Sequence, residues 1–79
     1  MGGNNFNRLQ CIRALTRIGF ILNKNSSGSH DKFLSPILNS NPPFITVPRH
    51  NVIHCQKAIL KELKKMGGEE LLENFLKNL

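Results

Sequence analysis

Three short β-forming runs lie between residues 20 and 47, separated by turn residues and flanked on both sides by segments of helical periodicity. This arrangement constrains the chain more than any other feature. Runs of this length, joined by loops too short for a crossover, pair as antiparallel neighbours. The flanking segments have one apolar side each, and that side has to be buried against something. The expected class is therefore α+β, in the order α-β-β-β-α with a short C-terminal helix. It forms two layers, a three-stranded antiparallel sheet with both long helices on one face. The other sheet face is left open.

The first helix is expected from Arg8 to Ile18, with Asn7 as its cap. Leu9, Ile12, Leu15 and Ile18 recur every three residues, with Cys11 and Ala14 beside them, and predict its apolar face. Arg13 and Arg17 lie on the other side. Gly19 follows as the left-handed terminator. Strands are expected from Phe20 to about Lys24, from His30 to Leu34 and from Phe44 to Val47, ended by Pro48. The polar loop Asn25–Gly28 joins the first two strands. The stretch from Ser35 to Pro43, rich in Pro, Asn and Ser, makes a long hairpin loop. A second helix starts between Asn51 and His54 and runs to Met66, with Ile53, Ile59, Leu63 and Met66 inward. Lys57, Lys61, Lys64 and Lys65 point mostly outward, and Glu62 can pair with a neighbouring lysine, though an exposed pair contributes little. Gly67-Gly68 stops this helix. Glu69 and Glu70 open the terminal one, whose apolar side is Leu71, Leu72, Phe75, Leu76 and Leu79.

A chain of 79 residues makes one domain, 1–79, with residues 1–6 read as a flexible start and 69–79 as the terminal helix. Its core is thin, since a domain this small buries only roughly 60% of its unfolded surface. A deep substrate cavity is not expected, so any chemistry belongs on the surface. The formal charge is +6 and it is segregated: residues 1–57 hold seven Lys or Arg against a single acid, Asp31. Such a field favours nucleic acid or an acidic protein as partner. Neither a secretory segment nor an apolar run near the ~20 residues of a membrane span is present. Cys11 and Cys55 read as free thiols, so a cytoplasmic location without membrane contact is expected.

His30 follows a small flexible loop and opens a strand. An imidazole titrates near neutrality and can take up and return a proton at working pH. Placed on a positive surface, it suits phosphodiester cleavage without a metal or other cofactor. Lys24, Lys32 and Arg49 are candidate phosphate partners, and amides near Gly28 and Ser29 add donors. The second proton carrier is open: His50, a lysine or water. Two rivals stand beside this reading. His50, His54 and Cys55 have some of the spacing of a zinc site, but no glutamate follows His50 and no Cys-x-x-Cys is present. A non-catalytic RNA-binding module would use the basic face alone. A duplex-RNA reader, however, places several lysines at the start of its second helix, and here the first is Lys57.

The succession Gly19-Phe20, Gly28-Ser29-His30, Ile45-Thr46-Val47-Pro48-Arg49-His50, Lys57-Ala58-Ile59-Leu60-Lys61-Glu62-Leu63 and Met66-Gly67 resembles the HicA family of small mRNA interferase toxins. The resemblance runs from about Leu9 to Leu72. It implies a fold like that of double-stranded-RNA-binding domains. It also implies cleavage of messenger RNA and control by a HicB-type antitoxin. The family's essential histidine falls on His30 and its motif glycine on Gly28. Pro48 and His50 fall on the turn before the second helix, as structural or RNA-contacting residues. An antitoxin would inhibit best by presenting acids to the basic face around His30. Two features depart from the pattern: Asp31 directly after the histidine, and the long, proline-rich stretch from Ser35 to Pro43. The acid is expected either to tune the imidazole or to repel RNA.

Overall fold

The computed structural model describes residues 6–24, 30–49 and 56–79. Its elements are α1 (Arg8–Arg17), β1 (Ile21–Leu22), β2 (His30–Leu34), β3 (Phe44–Pro48) and α2 (Gln56–Lys77). The sheet is an antiparallel meander in the order β1-β2-β3. Its register pairs His30 with Pro48, Lys32 with Thr46 and Leu34 with Phe44 on one face. Asp31 pairs with Val47 and Phe33 with Ile45 on the other.

Local chemistry sets the ends of α1. The Asn7 side chain accepts from the Gln10 amide at 2.8 Å, and the Gln10 side chain accepts from the Asn7 amide at 2.9 Å. Each satisfies a donor the first turn leaves without a partner. Gly19 follows the C-cap at φ +104°, the conformation expected for the residue that ends this helix. The chain then turns sharply, and the Phe20 amide donates back to the Leu15 carbonyl at 2.9 Å. That turn buries Phe20 and delays the first strand. β1 is therefore two residues long instead of the five expected, with one further bond from the Asn23 amide to the Lys32 carbonyl at 2.8 Å.

Alternation along the strands sorts the sheet's faces. Phe33, Ile45 and Val47 are buried under the helices, while His30, Lys32, Leu34 and Thr46 are exposed on the other side. The core joins these inward residues to Cys11, Ala14 and Leu15 of α1 and to Ile59, Leu63, Met66, Leu71 and Phe75 of α2. Two expectations about the N-terminal part are corrected. Leu9 is 64% exposed, because the buried stripe of α1 runs through 11, 14 and 15, and residue 9 lies off that line. Phe6 is buried as well: its ring stands edge-on to Phe75 at 5.4 Å, and its carbonyl accepts from the Gln56 side chain at 3.3 Å. Phe6 is therefore anchored to the second helix.

α2 is two helical arms, 56–66 and 69–77, divided where Gly67 and Gly68 leave helical geometry. Gly68 adopts φ +71°, ψ −164°, a region that only glycine enters without strain. The long hairpin loop closes by a bond from the Ser35 amide to the Pro43 carbonyl at 3.0 Å. Its Ile37 packs down on the break. A Cβ on Gly67 would come within 2.7 Å of the Leu71 Cβ and 2.9 Å of the Ile37 Cδ1. Gly67→Ala is therefore expected to lower stability by about 1–3 kcal/mol through overpacking. A urea titration measures it, with an unchanged slope marking a loss confined to the folded state.

Candidate functional site

The open face of the sheet is assembled by register. His30 opens β2 opposite Pro48, and Lys32 lies two residues on, opposite Thr46. Side chains two apart in a strand share a face, so the imidazole and the Lys32 ammonium point to the same side. Lys32 leans over the Phe44 ring, its Nζ 4.8 Å from the ring centroid. That contact keeps a cation beside an aromatic surface, at a gain of roughly 0.5–1 kcal/mol for an exposed pair. Lys24 is exposed in the turn that follows β1.

Beside this face runs a groove of about 390 Å³, along the outer edge of β3. Among the described residues it is lined by His30, Pro42, Phe44, Ile45, Thr46 and Pro48, and on the α2 side by Ala58, Ile59 and Glu62. Its size lies within the range of small-ligand clefts. The histidine therefore faces a shaped recess on the molecule's edge.

Asp31 lies on the opposite side of β2 from His30. Its Oδ2 accepts from Arg8 Nη2 at 2.6 Å and its Oδ1 from Arg49 Nε at 2.8 Å. Arg8 Nε also donates to the Pro48 carbonyl at 2.8 Å. The acid beside the histidine is thus held by two guanidinium groups on the helix side of the sheet. Its role in the fold is to tie the first turn of α1 to β2 and to the turn after β3. Arg49, an expected phosphate partner, is engaged in this cluster. The Asp31 side chain is only 15% exposed and Arg8 25%, so its removal leaves a half-buried Arg8 without its carboxylate, whereas Arg49, 44% exposed, stays in contact with solvent. Asp31→Asn is expected to cost about 2 kcal/mol, in the range for hydrogen bonds to charged groups. Thermal unfolding at low and high salt reads both the loss and its electrostatic origin.

Gly28, Ser29 and His50 of the expected site, and His54 and Cys55 of the rival metal set, lie outside the described residues. Among the described residues no group of three or more His, Cys, Asp or Glu stands together. No helix among them is long and apolar enough to cross a membrane. Cys11 is buried within the core.

Sequence reasoning did not single out Phe44 or Glu62 as site residues. Alternation along β3 was a usable signal for Phe44, since it shares a face with Thr46 and Pro48. For Glu62 the signal was weaker. It is the single acid within Lys57–Lys65, and neither residue four positions away is a lysine. The pairing open to Glu62 with a neighbouring lysine is not formed: the salt bridges among described residues are those of Asp31. Comparison with protein-family models, with curated proteins and with solved structures gives no match for this chain.

Proposed function

We propose that this protein is an endoribonuclease of the HicA kind, a toxin that cleaves messenger RNA without a metal and is restrained by a HicB-type antitoxin. In this reading the α-β-β-β-α order is the fold of double-stranded-RNA-binding domains turned to cleavage. The observation that carries the proposal is the setting of His30. It is exposed at the start of β2, shares the open sheet face with Lys32, and lines a groove beside β3.

Cleavage proceeds by attack of the ribose 2′-hydroxyl on the adjacent phosphorus, with departure of the 5′-oxygen. His30 moves a proton in this step, and Lys32 on the same face holds phosphate charge, with Lys24, exposed in the turn after β1, as a further candidate. Gly28, Ser29, Arg49 and His50 complete the proposed RNA-contacting set. The basic surface supplies attraction that does not depend on sequence. The HicB-type partner presents acids to this surface and occludes the groove as it does so. A cytoplasmic location follows from that substrate and partner.

The experiment is incubation of the purified chain with single-stranded RNA in the presence of a chelator. Shortening of the RNA by the native chain, and its loss on replacing His30, is the expected result. RNA that is bound but keeps its full length would instead favour a binding module.

A further inference from the structure

Glu62 is a carboxylate in an unusual position. It sits on the first arm of α2, among Lys57, Lys61, Lys64 and Lys65, in a protein of formal charge +6. It has no hydrogen bond or ion pair with any described residue. The helix register explains this. Ile59, Leu63 and Met66 form the buried stripe, and Glu62 flanks it on the side of Ala58, turned toward β3. It is half-buried there and lines the same groove as His30. The geometry therefore sets a carboxylate, an available proton acceptor, on the wall of the same recess as the imidazole.

We infer that Glu62 is the second proton-transfer residue of the site, the base that works against His30. This rests on the ribonuclease reading above. Phosphodiester transfer in RNA needs two groups, one to accept the 2′-hydroxyl proton and one to supply a proton to the leaving oxygen. A carboxylate at neutral pH is an acceptor, and an imidazolium is a donor. The 2′-hydroxyl proton passes to the Glu62 carboxylate as the bond from the 2′-oxygen to phosphorus forms. The bond from phosphorus to the 5′-oxygen breaks, and that oxygen takes its proton from the imidazolium of His30. The products are a 2′,3′-cyclic phosphate and a free 5′-hydroxyl, with no co-reactant consumed. The phosphate enters the groove that both side chains line, with Thr46 also on its wall.

Glu62→Gln keeps the size of the side chain and removes the proton acceptor. Its cleavage of an RNA oligonucleotide under single-turnover conditions is expected to fall about 10²-fold or more, with an unchanged melting temperature. RNA binding is expected to hold or tighten, because a negative charge has gone. A nucleoside 3′-nitrophenyl phosphodiester separates the two roles, since its leaving group needs no proton. On that substrate His30→Ala should regain most of its lost rate and Glu62→Gln should not. Cleavage by Glu62→Gln within a few-fold of the native rate, or faster, overturns the inference and leaves Glu62 as a mere repeller of RNA. Rescue of Glu62→Gln by the nitrophenyl substrate overturns its assignment as the base. In both outcomes a His30→Ala variant inactive on RNA shows that the ribonuclease reading itself survives. A His30→Ala variant as active as the native chain removes that reading, and this inference with it.

Discussion

Phe75→Ala is expected to remove a large part of the domain's stability. Phe75 is fully buried and is the largest of the completely enclosed side chains. Truncating such a ring typically costs about 3–5 kcal/mol, part from lost transfer energy and part from the cavity left behind. At about 0.05–0.15 kcal/mol per residue, the whole domain has about 4–12 kcal/mol to lose. The position amplifies the effect. Phe75 lies on the second arm of α2, and its ring meets Phe6 edge-on, joining the two ends of the described chain. Beyond the Gly67-Gly68 break this arm is too short to persist without packing. Loss of the ring therefore releases both the arm and the entry to α1. Calorimetry or circular dichroism should show a fall in melting temperature of at least about 12 °C, at ~4 °C or more per kcal/mol in a domain this size. A fall of only a few degrees would mean that the C-terminal arm is not part of the cooperative core.

His30→Ala is expected to have the opposite profile, with a large loss of activity and almost none of stability. The side chain is exposed on the open sheet face, where substitutions usually change stability by within about 0.5 kcal/mol. Removing a positioned general acid or base lowers a rate typically by ~10²–10⁴-fold. RNA cleavage should drop by that factor, and growth arrest on expression of the chain should disappear. Lys32 and the rest of the basic surface remain, so RNA binding should persist with a similar dependence on salt. A variant that still cuts RNA at the native rate would take away the role proposed for His30. A variant that fails to fold would contradict its exposed placement.

The order of elements was legible because it rests on local signals. Asn7 before an apolar-periodic run marks a helix start. Glycine after the last apolar turn ends a helix, and β-branched and aromatic runs between polar loops make strands. His30 to Leu34 is a strand for these reasons. Signals of this kind weaken at the margins. Gly19 ends the helix as expected, but the tight turn behind it draws Phe20 into the core and shortens β1.

Contacts between distant parts of the chain decided the rest. Asp31 lies 23 positions from Arg8 and 18 from Arg49, and its pairing with both depends on where α1 and the turn after β3 lie against β2. A sequence displays the charges and not the side of the sheet on which they meet. Glu62 looked like one partner in a run of lysines, but only the packing of α2 against β3 turns it into the groove. Phe6 looked like part of a loose end until Phe75 met it. The sequence by itself determined which segments become helices and strands, because capping, turn chemistry and periodicity act within a few residues. The tertiary structure alone decided which side chains share a recess and which charges cancel, because burial and electrostatics depend on distances through space.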